Sequence, residues 1–219
     1  MDNNLETPKQ VYSKFLEIIA NENESPELLE YEETIVDCMI EQIEHMENNI
    51  SRLKNRLETF CIEQHRTEID RLQYTVNVYL RTRIRKIEQN CSSMIKILKT
   101  DQQRAQKLMS AGEIKYLDSY FMNIENYLSE SIMGRLDIPI KDASHTFSLL
   151  ELPNDERELF DNTYVFVRAL KKTDILITNG VDGEQETITL EPNSIHFLPY
   201  SSVRHFILNT ANQNNVVLM

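Results

Sequence analysis

Residues 35–57, IVDCMIEQIEHMENNISRLKNRL, carry apolar side chains at Ile35, Met39, Ile43, Met46, Ile50, Leu53 and Leu57. Steps of 4, 4, 3, 4, 3 and 4 average close to the helical repeat of about 3.6 residues, so the stretch reads as one amphipathic helix. Polar residues fill most of the other positions, which keeps the stripe narrow. Such a helix seeks one or two neighbours, not burial all round.

The pattern extends in both directions. Upstream, Thr7-Pro8 predicts a helix start, with a capping hydroxyl followed by a ring already set at the helical φ. Val11, Phe15, Ile18 and Ile19 form its apolar face, and Asn21 to Ser25 ends it. Ser25-Pro26-Glu27 repeats the start signal and predicts that the next helix begins there. Downstream, a second long helix is expected over about Ile62 to Leu98, with a bend near Thr59. Its inner side holds Ile69, Leu72, Val76, Tyr79, Leu80, Ile84, Ile87, Met94 and Leu98. Ser110-Ala111-Gly112-Glu113 has hydroxyl and carboxylate three apart, the spacing of a capping box. It opens a last helix on Ile114, Leu117, Phe121, Ile124 and Leu128, which Gly134 closes.

Helix breakers divide the chain. No proline lies between Pro26 and Pro139, and the only glycines there are Gly112 and Gly134. Pro139, Pro153, Pro192, Pro199, Gly180 and Gly183 all fall in the tail. There the apolar period shortens to two, over Tyr164–Arg168, Asp174–Ile177, Thr187–Leu190, Ile195–Leu198 and Val216–Met219. Asn179-Gly180 and Asp182-Gly183 tolerate positive φ and predict a hairpin turn, and Val203–Leu208 predicts a short helix. The expected fold class is α+β: an all-α helical bundle over 1–134, a linker over 135–161, and a small β-rich domain over 162–219. The strands are expected to complete one sheet. A unit of under about 60 residues has a marginal core, so the strand module should lean on something larger.

The net charge of −12 is unevenly spread. Residues 1–50 hold two basic and thirteen acidic side chains, residues 51–115 hold fourteen basic and seven acidic, and 116–219 sit at −8. The middle segment could attract a nucleic-acid backbone or an acidic partner, while the first would repel the former. No apolar run approaches the roughly 20 residues that span a bilayer, and MDNNLETPKQ is too acidic for a secretory signal. Cys38, Cys61 and Cys91 make no CxxC pair and read as thiols of a reducing compartment.

No catalytic grouping emerges. The five histidines lack HExxH or HxH spacing, and the phosphate-binding glycine loops and the GxSxG elbow are missing. The expectation is a chain with no enzymatic activity, cofactor or metal. One stretch stands out: IDRLQYTVNVYLRTRIRKIE, residues 69–88. Arg81 and Arg85 stand four apart and project together, while Arg83 points elsewhere. Tyrosine with arginine is the composition of contact patches, because a planar guanidinium pairs carboxylates bidentately. The stretch reads as an ion-pair ladder, either within the chain or between subunits, and the candidate contact residues are Tyr79, Leu80, Arg81, Arg83 and Arg85.

Pro26-Glu27-Leu28-Leu29, the Glu41–Glu47 run, Tyr79-Leu80-Arg81-Thr82-Arg83 with Lys86-Ile87-Glu88, Tyr164-Val165-Phe166 and Leu190-Glu191 leading to His196 together resemble the GINS family, most closely its Sld-five branch. The resemblance covers nearly the whole chain. It implies a helical A domain followed by a β-rich B domain, in a nuclear heterotetramer with three paralogous subunits. It further implies partnership with the MCM helicase ring and its further cofactor protein, and contact with the leading-strand DNA polymerase. The family has no catalysis of its own, and its members brace and dock; direct DNA binding would be weak or absent. Two other classes fit the residues: an autonomous nucleic-acid binder using the basic 51–115 segment, and a helical adaptor that self-associates through the 35–57 stripe.

Overall fold

In the computed structural model the described residues are 7–53, 59–131, 163–178, 185–208 and 215–219. The chain folds into two compact units that do not follow chain order: Met1–Pro26, Glu32–Thr82 and Thr163–Met219 form the first, Glu27–Tyr31 and Arg83–Asn162 the second.

The first unit holds α1 (Pro8–Glu24), α2 (Glu33–Leu53) and the part of α3 (Thr59–Gln89) that ends at Thr82. Thr7 caps α1 as expected: its hydroxyl accepts from the Gln10 amide, and the Gln10 side chain returns to the Thr7 amide. Phe15 on α1 and Tyr79 on α3 are both fully buried and meet edge to face, with ring centroids 5.7 Å apart. In the same unit Ile18, Ile19, Val36, Met39, Ile43, Ile69, Leu72 and Val76 are also buried. Over Ile35 to Ile50 the stripe faces inward, with Met39 and Ile43 buried, although Val36 rather than Ile35 takes the deepest position.

The strand module belongs to the same unit. Strand β1 (Tyr164–Ala169) is central in a three-stranded sheet, flanked antiparallel by β4 (Ile195–Pro199) and β5 (Val216–Leu218). Strands β2 (Thr173–Thr178) and β3 (Gln185–Leu190) pair with each other in a separate two-stranded ribbon. The single sheet expected from the sequence is thus two, because β1 spends both of its edges on β4 and β5. The chain enters β4 through Glu191-Pro192-Asn193-Ser194, where Asn193 adopts φ 64°. Asparagine tolerates that left-handed conformation, and the Asn193 amide is free to donate to the Ala169 carbonyl at 2.7 Å. Helix α7 (Tyr200–Leu208) packs on β2, β4 and β5 and buries Tyr200, Val203 and Ile207.

The module leans on α1. β5 packs against α1, where the buried Asn21 accepts from the Leu218 amide through Oδ1 at 2.9 Å. The Ser25 and Tyr200 hydroxyls share a buried hydrogen bond of 3.2 Å.

The second unit gathers the end of α3 with α4 (Cys91–Thr100), α5 (Gln102–Leu108) and α6 (Ala111–Ser131). Leu28, Ile87, Cys91, Met94, Ile95, Ala105, Met109, Leu117 and Phe121 form its core. Two expectations fail here. The helix expected to run to Leu98 breaks at Asn90, which sits at φ −108°, ψ 27°; asparagine is a weak helix former that visits this bridge conformation readily. Also, α5 was not anticipated: it starts where the Asp101 carboxylate accepts from the Arg104 amide at 3.0 Å. A third failure is the Ser25-Pro26-Glu27 start, since α2 begins only at Glu33. Leu57, the Gly134 stop, the 135–161 connection and the Asn179–Gly183 turn lie outside the described residues.

Replacing Asn21 by alanine should orphan the Leu218 amide in a buried place. We expect a loss of about 1–3 kcal/mol of stability, read by urea unfolding of the full chain, with faster hydrogen exchange at Leu218. Unchanged exchange there would show that the bond does not hold β5.

Candidate interface helix and its buried arginine

Helix α3 presents the sequence-selected residues in two opposite ways. Tyr79 and Arg83 have no exposed surface, Leu80 is half-buried, and Arg81 and Arg85 are exposed. A side chain with no accessible area cannot be offered to a partner. Tyr79 and Arg83 therefore serve the chain's own core, which corrects their place among the contact residues; Leu80, Arg81 and Arg85 keep surface.

Arg83 lies wholly inside the second unit. Its Nε donates to Glu113 Oε1 at 2.8 Å and its Nη2 to Glu113 Oε2 at 3.1 Å, a bidentate ion pair. Nη1 donates to the Leu29 carbonyl at 2.8 Å and Nη2 to the Leu108 carbonyl at 2.7 Å. The guanidinium carbon sits 5.2 Å from the centre of the Tyr31 ring. A buried charge is tolerated when it is paired and hydrogen-bonded; here Glu113 pairs it and the Leu29 and Leu108 carbonyls take further donors.

Glu113 has a second task. Its Oε2 accepts from the Ser110 amide at 2.8 Å, while the Glu113 amide donates to Ser110 Oγ at 3.2 Å. The predicted capping box at the start of α6 is thus formed, and its carboxylate is also the counter-ion of Arg83.

The same network explains why residues 27–31 are not helical. Lys86, itself buried, donates to the Glu27 carbonyl at 2.9 Å, Arg83 holds the Leu29 carbonyl, and the Tyr31 amide donates to the Lys107 carbonyl at 3.2 Å. Leu28 enters the core between these anchors. Backbone groups that a helix would have used internally are satisfied by α3 side chains, so the local start signal at Ser25-Pro26 is overridden. The sequence reading missed Lys86 and the pairing of Arg83 with Glu113. A signal existed: Arg83 falls on the apolar stripe Val76, Tyr79, Arg83, Ile87, where a polar residue must have an internal partner.

Neighbouring groups titrate abnormally. The Tyr116 hydroxyl donates to Glu88, which pushes its phenol up to about 12; the ring stacks on Tyr120 at 5.9 Å. Burial raises the Cys91 thiol, keeping it protonated and inert. In the first unit, the hydrogen bond from Arg71 holds the Glu68 carboxyl below its ordinary value. The Arg71 guanidinium also lies over the Tyr12 ring at 4.7 Å. Among the described residues no group of three or more His, Cys, Asp or Glu is placed to hold a metal ion, and no helix is long and apolar enough to cross a membrane.

Comparison with known proteins adds independent findings. Residues 10–132 match the family described as the GINS complex protein helical bundle domain, and residues 161–218 match the DNA replication complex GINS protein SLD5 C-terminus. The human DNA replication complex GINS protein SLD5 is 28% identical over 209 residues, covering 94% of this chain and 90% of that protein. The Dictyostelium discoideum protein of the same name is 31% identical over 189 residues, covering 85% and 83%. The Arabidopsis thaliana protein of that name is 25% identical over 189 residues, with shares of 85% and 83%.

Two outcomes follow from the geometry. Removing either partner of the buried pair, by Arg83→Met or Glu113→Leu, should cost about 3–5 kcal/mol, and the double variant should lose less than the two singles summed, as measured by urea unfolding. Between about pH 10 and pH 12 the unfolded Tyr116 releases a proton that the folded one keeps, so its contribution to stability, complete below pH 10, should fade across that window. Ultraviolet titration of tyrosine should register the delayed ionisation, and Glu88→Gln should bring it back toward the ordinary value of about 10.

Proposed function

This chain belongs to the SLD5 family of GINS DNA-replication proteins, and from that premise we infer that it is a non-catalytic, structural subunit. It works in the nucleus within a heterotetramer with three paralogous subunits. The assembly braces the MCM helicase ring together with its further cofactor protein, and acts as a docking platform that also reaches the leading-strand DNA polymerase. In this reading the helical part, 1–134, and the strand-rich part, 162–219, joined by 135–161, are its two working domains.

The observation that carries the reading is the apolar area the helices leave uncovered. Phe60 and Tyr74 on α3 and Tyr127 on α6 are each about two-thirds exposed, and Met122 on α6 is half exposed. Single exposed apolar residues are ordinary, but several large aromatic ones on helices that already have a core point to surfaces covered by other chains. Along α3, steps of seven and four keep Tyr74, Arg81 and Arg85 on one helical face. Tyrosine and arginine are the side chains that interfaces favour, because a large ring and a planar cation make wide contact with few rotatable bonds. We assign Leu80, Arg81 and Arg85 to a subunit contact, with the two arginines meeting carboxylates.

The test is coexpression with the three paralogues, followed by sedimentation for size and stoichiometry. The unaltered chain should enter a four-subunit particle, and Arg81→Ala with Arg85→Ala should lower its yield several-fold while the isolated chain melts as before. A double variant that assembles in full yield would overturn the assignment of these arginines. A chain that stays alone beside its paralogues would overturn the function.

A further inference from the structure

The three-stranded sheet is apolar on both faces. Facing inward, Val165, Val167, Ala169 and Leu198 are buried. The other face should be polar, since an antiparallel sheet with one packed side normally alternates apolar in and polar out. Instead β1 turns outward Tyr164, Phe166 and Arg168, and β4 turns outward Ile195 and Phe197. The register sets Phe166 opposite Phe197 and Arg168 opposite Ile195. On the other side of β1, the Met219 amide donates to the Phe166 carbonyl. Tyr164, Phe166, Ile195 and Phe197 are each more than half exposed, and Met219 nearly so. Tyr164 stacks on Phe197 at 5.2 Å, and Phe166 tilts against Phe197 at 4.8 Å, so the rings form one contiguous cluster.

We propose that this face is a docking surface for a protein segment that lays apolar side chains on the aromatic cluster and presents a carboxylate to Arg168. The inference rests on the reading that the chain works inside an assembly, and it concerns a surface separate from Arg81 and Arg85. Charge selects the occupant. Arg168 is the only side chain charged at neutral pH among the outward-facing described residues of β1 and β4. Its Nη2 donates to Asn193 Oδ1 at 3.1 Å, which aims the guanidinium without neutralising it. Covering that cation with a purely apolar surface would leave a buried charge uncompensated, whereas an Asp or Glu of the incoming segment accepts its free donors.

Other occupants fit less well. Single-stranded nucleic acid needs a row of cations along its backbone beside the stacking rings, and this face offers one. A second copy of the chain would bring a face with the same cation and no side-chain carboxylate.

The experiment replaces Tyr164 with photoreactive p-benzoylphenylalanine in the full chain, coexpressed with its three paralogues, and maps the adducts by mass spectrometry. The expected adduct joins Tyr164's position to a segment of another polypeptide in the particle, with an Asp or Glu within a few residues. Arg168→Glu should cut its yield about fivefold or more, and lysine at the mapped acid should restore it. Arg168→Gln, with no reversed charge, should give an intermediate loss. Four results would overturn the proposal: a particle that assembles without any adduct, adducts confined to this chain or a second copy, capture of added oligo(dT), or a yield indifferent to Arg168→Glu. A chain that fails to assemble at all would remove the preceding reading and this proposal with it, and sedimentation tells that case from the others.

Discussion

A guanidinium with no exposed surface organises the second unit. Arg83 carries five N–H donors into the protein interior, and each needs an acceptor because water is excluded. The Glu113 carboxylate supplies two, and the Leu29 and Leu108 carbonyls supply more. Those acceptors come from three different parts of the chain: the start of α6, the extended stretch before α2, and the end of α5. A single side chain therefore ties together the first turn of α6, the non-helical stretch 27–31 and the last residue of α5. An apolar residue of similar size could fill the volume, but it would demand nothing of those backbone groups. Replacing a buried ion pair by well-packed apolar residues is often neutral or stabilising, so the pair by itself is weak evidence of net stability.

The first unit depends on a different kind of constraint. Its strands are too few to hide their own apolar side chains, so the module borrows α1 as a wall. Asn21 covers the Leu218 amide, which would otherwise face an apolar helix, and the Ser25–Tyr200 hydroxyl pair fixes the next contact along. Edge strands invite unwanted pairing, and packing β5 against α1 shields the shortest strand of the sheet. On the outward face Val217, opposite Arg168, is buried, whereas Tyr164, Phe166, Ile195 and Phe197 of β1 and β4 stay more than half exposed.

Elements with a local cause could be read from the sequence. The Thr7-Pro8 start, the Ser110–Glu113 box, all five strands and the short helix after β4 depend on residues within a few positions of one another. The failures share a cause of the opposite kind. Ser25-Pro26-Glu27 carries a valid start signal, yet side chains more than fifty residues away claim its carbonyls. The division of the strands into two sheets depends on which strand takes the edges of β1, and alternation in sequence is silent on that. Among the candidate residues, Arg81 and Arg85 lie on the surface as their spacing suggested. Arg83 falls on the apolar stripe and makes its ion pair inside the chain, with Glu113.

The hydrogen bond from Leu218 to Asn21 spans 197 residues. Translation proceeds at about 5–20 residues per second, so α1 emerges roughly 10–40 s before its strand partner exists. During that interval a nascent chain shows the ribosome's surroundings an α1 whose Asn21 side chain has no strand to meet. Vectorial synthesis thus leaves the first helix waiting for the last strand, and chaperones have that window in which to act.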